Sequence, residues 1–393
     1  MLFVTVTRLL TRARNLRVKG IVLTAVYMTS LASVLPHASA TPLANSSSPL
    51  TPQHQAVTDG PYVFINPDNT HHASWICADQ LIHTPVESLK VMQPPACQNL
   101  PEPSLNADLK LISADTYTGV NNIVALSDVH GQFDVMVQLL QAHGIIDEQR
   151  HWAFGDGHMV MTGDMFDRGP QVNEVLWLLY QLDSEATAAG GKLHLLMGNH
   201  EQMVLMGDLR YIHPRYQTTT QLMNTSYDAL YDQDTEIGQW LRSKHTLVKI
   251  NNALFMHGGI SPEWLERQLS ISQANRLYRR HIDDDKAQLK QDELLNFLFF
   301  SNGPTWYRGY FNQSLNEADI DKLLAYFDVD HIVVGHTSQT EVLGLYHNKI
   351  IAIDSSIKRG LSGELLLMTP EQLIRGHYNG DTQPLQAQPL AQK

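Results

Sequence analysis

Between residues 121 and 369 one pattern recurs along the chain: a short apolar run, rich in β-branched residues, stops abruptly in a cluster of Asp, His, Asn and Gly. The runs cover 123–126, 158–161, 193–197, 253–256 and 331–334, with 350–353 and 364–367 following. Apolar runs of this length bounded by turn formers predict buried strands. Helices are predicted between them. Phe133, Met136, Val137 and Leu140 share one helical face with Gly144 as a stop, and Val172, Val175, Leu176 and Leu179 repeat the spacing after Pro170. Strands alternating with helices, with polar residues collecting where strands end, predict an α/β domain whose site lies at the strand C-terminal ends.

The ends of the chain break this pattern. Residues 1–40 open with Arg8, Arg12, Arg14, Arg17 and Lys19, continue in an apolar run from Gly20 to Leu35, and close on Ala38-Ser39-Ala40. That order predicts a signal peptide cleaved after Ala40, because the run is shorter than the roughly 20 residues of a spanning helix. The mature protein is then expected outside the cytoplasmic membrane, in a periplasm, with no stable membrane insertion. Residues 41–58 are rich in Ser, Pro, Thr and Asn and predict a flexible linker. Residues 59–118 carry short apolar runs such as Pro61-Tyr62-Val63-Phe64-Ile65 and are expected to pack on a catalytic domain at 119–376. The Gln- and Pro-rich stretch at 377–393 is expected to be disordered.

Charge and cysteine content narrow the partners. Without the five basic residues of the leader, 23 Lys and Arg face 40 Asp and Glu, a net charge of −17. A nucleic-acid binder needs a basic face to displace counterions, so none is expected as a partner. Cys77 and Cys97 are the two cysteines of the chain. In an oxidising compartment they permit one disulfide; two unpaired buried thiols are the other reading.

Five strand ends carry the chemistry: Asp128-Val129-His130-Gly131, Gly163-Asp164-Met165-Phe166-Asp167-Arg168-Gly169, Gly198-Asn199-His200-Glu201, His257-Gly258-Gly259 and Gly335-His336-Thr337. Carboxylates and imidazoles together suit Mn, Fe or Zn. Each ligand has a glycine neighbour, which lets backbone or substrate approach closely. A single histidine near a strand end is ordinarily a satisfied polar residue, but five clusters in this order are not explained that way.

This order of motifs resembles the calcineurin-like metallophosphoesterases, and its wording is similar to their phosphoprotein phosphatase branch. The resemblance covers roughly residues 121–367. Gly335-His336-Thr337-Ser338 stands where phosphodiesterase members carry G-H-x-H, and His257-Gly258-Gly259 stands where diadenosine tetraphosphate hydrolases carry H-A-G. The S-A-P-N-Y-C loop of the eukaryotic serine/threonine enzymes is absent, and Ile353-Asp354-Ser355-Ser356-Ile357 occupies that place. With Asp59-Gly60-Pro61-Tyr62-Val63-Phe64 and Gly303-Pro304-Thr305-Trp306-Tyr307-Arg308-Gly309, the chain resembles the Shewanella-like protein phosphatases, some of which prefer phosphotyrosine.

The resemblance implies a β-sandwich flanked by helices and a phosphomonoesterase with two divalent ions. Asp128, His130 and Asp164 would hold one ion and Asp164, Asn199, His257 and His336 the other, with a water activated between them for in-line attack. Arg168 and Arg308 would grip the phosphoryl group, together with Asn199 and His200. His200 would be the general acid, held by Asp167; Glu201 reads as structural. The substrate implied is a phosphoprotein or phosphopeptide bearing phosphotyrosine, phosphoserine or phosphothreonine. A nucleotide or diadenosine polyphosphate hydrolase is the rival enzyme class, and a pseudo-phosphatase binding module the non-enzymatic one. The complete ligand set argues against the module.

Overall fold

The computed structural model describes residues 56–312 and 314–388. The expected leader, the cleavage point after Ala40 and most of the expected linker lie outside the described residues. Among those described, no helix is long and apolar enough to cross a membrane.

The strands, in chain order, are β1 (Asp59–Ile65), β2 (His71–Cys77), β3 (Gln80–Pro85), β4 (Thr116–Tyr117), β5 (Ile123–Leu126), β6 (His158–Met161), β7 (Lys192–Leu195), β8 (Leu247–Ile250), β9 (Ala253–Met256), β10 (His331–Val334), β11 (Leu343–Leu345), β12 (Ile350–Ala352), β13 (Glu364–Met368), β14 (Leu373–His377) and β15 (Thr382–Pro384). One six-stranded sheet runs β15-β14-β13-β5-β6-β7 and a second β11-β12-β10-β9-β8-β4, while β1-β2-β3 form a separate antiparallel sheet. Within the two large sheets β5, β6 and β7 are parallel, as are β9, β10 and β12.

Period-two alternation builds the layers. Ile123, Ala125 and Val160 from one sheet and Ala253, Phe255, Val333 and Ile351 from the other meet in a core between the sheets. Their neighbours Val124, Leu126, Met159 and Met161 point outward onto the helices α1 (Phe133–Ala142) and α2 (Val172–Ala188). Leu254, Met256, Ile332 and Val334 point outward onto the helices Ile271–His281, Glu293–Phe299 and Glu317–Phe327. The result is a β-sandwich with helices on both outer faces, the fold that the resemblance implied. The buried face of α1 is wider than the predicted stripe, because Val135 and Leu139 are buried with Met136 and Leu140 while Phe133 and Val137 are only partly covered.

Residues 59–118 pack on the catalytic layers through polar contacts as well as apolar ones. Trp177 Nε1 on α2 donates to Pro61 O at 2.9 Å. The fully buried Asp59 carboxylate accepts from Tyr62 Oη, Thr219 Oγ1 and Arg215, the last on α4 (Pro214–Met223; α3 is Asn199–Leu205). Arg215 Nη1 also donates to Pro170 O at 2.7 Å, so this segment braces the turn that follows Arg168. Cys77 and Cys97 are disulfide-bonded with a Cα–Cα separation of 4.9 Å, pinning the end of β2 to the loop that follows β3.

Two expected boundaries need correction. Thr116–Tyr117, placed before the catalytic domain, is an edge strand of the second large sheet, pairing in parallel with β8. The stretch from 377, expected to be disordered, instead forms β15 against β14, and Leu385 enters the core between the sheets. Polar, low-complexity sequence there is ordered by backbone pairing and one apolar anchor, which composition does not register.

Candidate active site

The parallel strands bring their C-terminal ends to one edge of the sandwich. From one sheet, β5 leads to Asp128 and His130, β6 to Asp164, and β7 to Asn199. From the other, β9 leads to His257 and β10 to His336. To turn back sharply at these points the chain enters the left-handed region at Asp128 (φ 52°), His130 (47°), Asp164 (61°), Asp167 (70°), Arg168 (65°) and His336 (64°). Side chains rarely adopt that conformation, which costs about 1–3 kcal/mol per residue and gathers at functional sites. Close packing leaves no room for side chains between the loops: a Cβ on Gly163 would stand 2.5 Å from Gly198 Cα.

Backbone bonds hold these turns in place. Asp128 N donates to Gly163 O (3.1 Å), His130 N to Asp164 O (2.9 Å) and Gly131 N to Met165 O (3.0 Å). The fully buried Glu201, at the start of α3, accepts the remaining amides: Gly198 N and Asp164 N on Oε2, Met165 N and Phe166 N on Oε1. Its role is to position the Asp164 loop. Glu201→Gln would turn an amide NH2 against two N–H donors and leave buried groups unpaired. It is expected to cost about 2–3 kcal/mol of stability and to lower metal content, read by urea unfolding and elemental analysis.

The histidines are oriented so that their lone pairs converge. His130 Nδ1 lies 2.6 Å from Phe166 O, His257 Nδ1 3.1 Å from Thr162 O and His336 Nε2 3.1 Å from Trp306 O. A carbonyl only accepts, so each of these nitrogens carries the hydrogen and the other presents a lone pair. His130 Nε2 is buried without a hydrogen-bond partner and lies 3.4 Å from Asp164 Oδ2 and 3.8 Å from Asp128 Oδ2. His257 Nε2 lies 3.2 Å from Asp164 Oδ1, 2.9 Å from Asn199 Oδ1 and 3.0 Å from His336 Nδ1. Acceptors this close with no hydrogen between them repel unless a cation stands among them. The residues therefore fit divalent metal, with Asp164 facing both groups, His130 on one side and His257 and His336 on the other.

Electrostatics agree with that arrangement. Burial disfavours charge on Asp164, but the facing His257 and His200 rings overcome it and hold the carboxyl below its usual range. His257 is likewise opposed by burial, yet Asp164 and Asp128 lift it to about 9, a proton taking the place a cation would fill. Burial and the neighbouring His257 keep His336 neutral.

Beside this cluster His200 Nδ1 lies 2.5 Å from Asp167 Oδ2, and His200 Nε2 lies 3.9 Å from Asp164 Oδ2 and 3.5 Å from Arg168 Nη2. Burial opposes protonation of His200, but Asp164 and Asp167 raise its pKa above the ordinary value. Arg308, exposed at the rim, donates from Nη1 to His336 O at 2.6 Å and has Nη2 3.3 Å from His336 Nδ1. All the metal, acid and phosphate residues predicted from sequence thus meet in one site, while Cys77, at the end of β2, and Cys97, in the loop after β3, lie apart from it.

The sequence reading missed Asp354 and Lys358. Asp354 Oδ2 accepts from Lys358 Nζ at 3.1 Å, and that nitrogen is 3.7 Å from Asp128 Oδ2. Burial and the adjacent Asp128 raise the Asp354 carboxyl to about 7. A signal was present: Asp354 comes two residues after β12, the same strand-end pattern as the other clusters. Ser127 Oγ and His336 N both donate to Asp128 Oδ1, which leaves Oδ2 facing His130.

Residues 122–339 match the calcineurin-like phosphoesterase family, and the chain belongs to it. The crystal structure of a cold-active protein-tyrosine phosphatase from a psychrophile, Shewanella sp., superposes with a TM-score of 0.83 at 60% identity, covering 84% of this chain and 99% of that one. Shewanella-like protein phosphatase 1 of Plasmodium berghei is 28% identical over 269 residues, 65% of this chain and 74% of its own. Shewanella-like protein phosphatase 2 of Arabidopsis thaliana is 23% identical over 290 residues, 62% of this chain and 73% of its own. Within the calcineurin-like family the chain stands with the Shewanella-like protein phosphatases, hydrolases of phosphoric monoesters.

Proposed function

We propose that this enzyme removes phosphate from phosphotyrosine in proteins or peptides, with two divalent ions drawn from Mn, Fe or Zn. Asp128, His130 and Asp164 would hold one ion, and Asp164, Asn199, His257 and His336 the other. Ions bound there supply an activated water and withdraw charge from the phosphoryl group. Arg168 and Arg308 bind the phosphoryl oxygens from the open side of the site. His200, held by Asp167, gives its Nε2 proton to the departing oxygen.

The observation that carries the reading is the buried His200–Asp167 pair beside the ligand cluster. A phenolate or an alkoxide leaves poorly without a proton, and this pair is built to deliver one, which supports phosphomonoester hydrolysis. The likeness to the Shewanella tyrosine phosphatase supports the choice of tyrosine. The test is a panel of matched phosphotyrosine and phosphoserine peptides with diadenosine tetraphosphate, run with metal analysis of the purified protein. The phosphotyrosine peptide is expected to have the highest kcat/KM; faster turnover of the dinucleotide would overturn the reading in favour of a nucleotide hydrolase.

We also propose that the enzyme is exported to a periplasm. The leader-like sequence of residues 1–40 and the Cys77–Cys97 bond, which persists in oxidising compartments, support this. Mass spectrometry of native protein is expected to find Thr41 at its N-terminus; soluble cytoplasmic protein with residues 1–40 attached would overturn export.

A further inference from the structure

An aromatic ring that phosphoryl transfer itself does not require stands beside His200. Tyr211 is 43% exposed, yet its ring is held on several sides. Its centroid is 5.5 Å from that of His200, at a tilt of 53°. The guanidinium carbons of Arg168 and Arg210 lie 5.3 and 5.4 Å from it, and Arg210 is locked in turn by two bonds to Asp208 at 2.7 and 2.8 Å. The main chain is tied as well, since Arg168 N donates to Tyr211 O at 2.9 Å.

The position of His200 fixes what passes this ring. Its Nδ1 is committed to Asp167, so Nε2 is the nitrogen that meets the leaving oxygen. That nitrogen lies 3.5 Å from Arg168 Nη2, and the Arg168 guanidinium stands over the Tyr211 ring, so the group attached to that oxygen is brought beside Tyr211. An aryl group bonded directly to the oxygen comes within the 4.5–7 Å at which aromatic rings pair favourably. The single Cβ of a serine or threonine presents no ring to pair.

Resting on the assignment of His200 as the acid, we infer that Tyr211 is the surface against which the leaving phenol packs, and so a residue that selects phosphotyrosine over phosphoserine and phosphothreonine. The contact is made to bound substrate, so its loss falls mainly on KM.

The experiment compares wild type, Tyr211→Leu and Tyr211→Phe on matched phosphotyrosine and phosphoserine peptides, with metal content measured for each. Tyr211→Leu is expected to lower kcat/KM for phosphotyrosine about tenfold through KM, and for phosphoserine less than about twofold; Tyr211→Phe keeps the wild-type preference. The Arg168–Tyr211 backbone bond survives both changes, and any loosening of the Arg168 side chain falls on both substrates alike. A wild type that prefers the phosphoserine peptide overturns the substrate reading itself. A wild type that prefers phosphotyrosine and keeps that preference in Tyr211→Leu, or a Tyr211→Phe as damaged as Tyr211→Leu, overturns the role of Tyr211 alone.

Discussion

Asp164→Asn is expected to purify with depleted metal and to lose roughly 10³-fold or more in kcat on any aryl phosphate. The reason lies in its position. Oδ1 stands 3.2 Å from His257 Nε2 and Oδ2 3.4 Å from His130 Nε2, so one carboxylate faces both imidazole groups. A neutral amide would offer one oxygen where two anionic ones are needed, and its NH2 would turn a donor toward a space that calls for acceptors. His200 N, which donates to Asp164 Oδ1 at 3.0 Å, would lose its anchor in one of the two amide orientations. The check is metal content and kcat on the same preparation. Full activity in wild-type protein after thorough chelation would sink the metal-dependent mechanism altogether.

The next largest effect is expected from the acid pair, and its signature is selectivity between substrates. His200→Asn should slow phosphotyrosine hydrolysis by about 10²–10⁴-fold, the usual contribution of a general acid. Tyrosine, with a phenol pKa near 10, needs the proton; a nitrophenolate leaves well without it and should be slowed far less. Arg168→Ala should slow both alike, because the phosphoryl group it grips is common to them. The pH profile adds a second reading. His200 must be protonated to act, and its raised pKa carries activity to higher pH before it falls as the ring deprotonates. Asp167→Asn removes one of the carboxylates that raise it, so the alkaline limb should move to lower pH on phosphotyrosine. Equal loss on both substrates for His200→Asn, at unchanged metal content, would leave His200 as a phosphate-positioning residue.

Much of this site is legible in the sequence alone, because the chemistry sits where strands stop. Apolar runs such as Ile123-Val124-Ala125-Leu126 end within two residues of a ligand, so secondary structure and ligand position are written in the same few letters. The assembly of the sheets is less accessible. Nothing local indicates that β5 to β7 lie in one sheet and β9 and β10 in another, since that depends on which faces pack together. Asp354 shares the strand-end pattern, but what it and Lys358 do there depends on Asp128, more than two hundred residues away in the chain. The ordered tail escapes for a related reason: its Gln and Pro residues bury little, and its place is fixed by β14, by Leu385 and by the pairing of Ala387 with Gly344.

The division of the ligands between two sheets bears on how the protein resists heat. Asp128, His130, Asp164 and Asn199 belong to one sheet and His257 and His336 to the other, so an ion held by Asp164, Asn199, His257 and His336 would rivet the sandwich at its edge. Unfolding must then release the ion, and the folded state gains about 1.4 kcal/mol for each tenfold excess of free ion over its dissociation constant. The melting temperature of this phosphatase should climb with the logarithm of metal supply, and chelation should open the seam between the sheets before it disturbs the helices outside them.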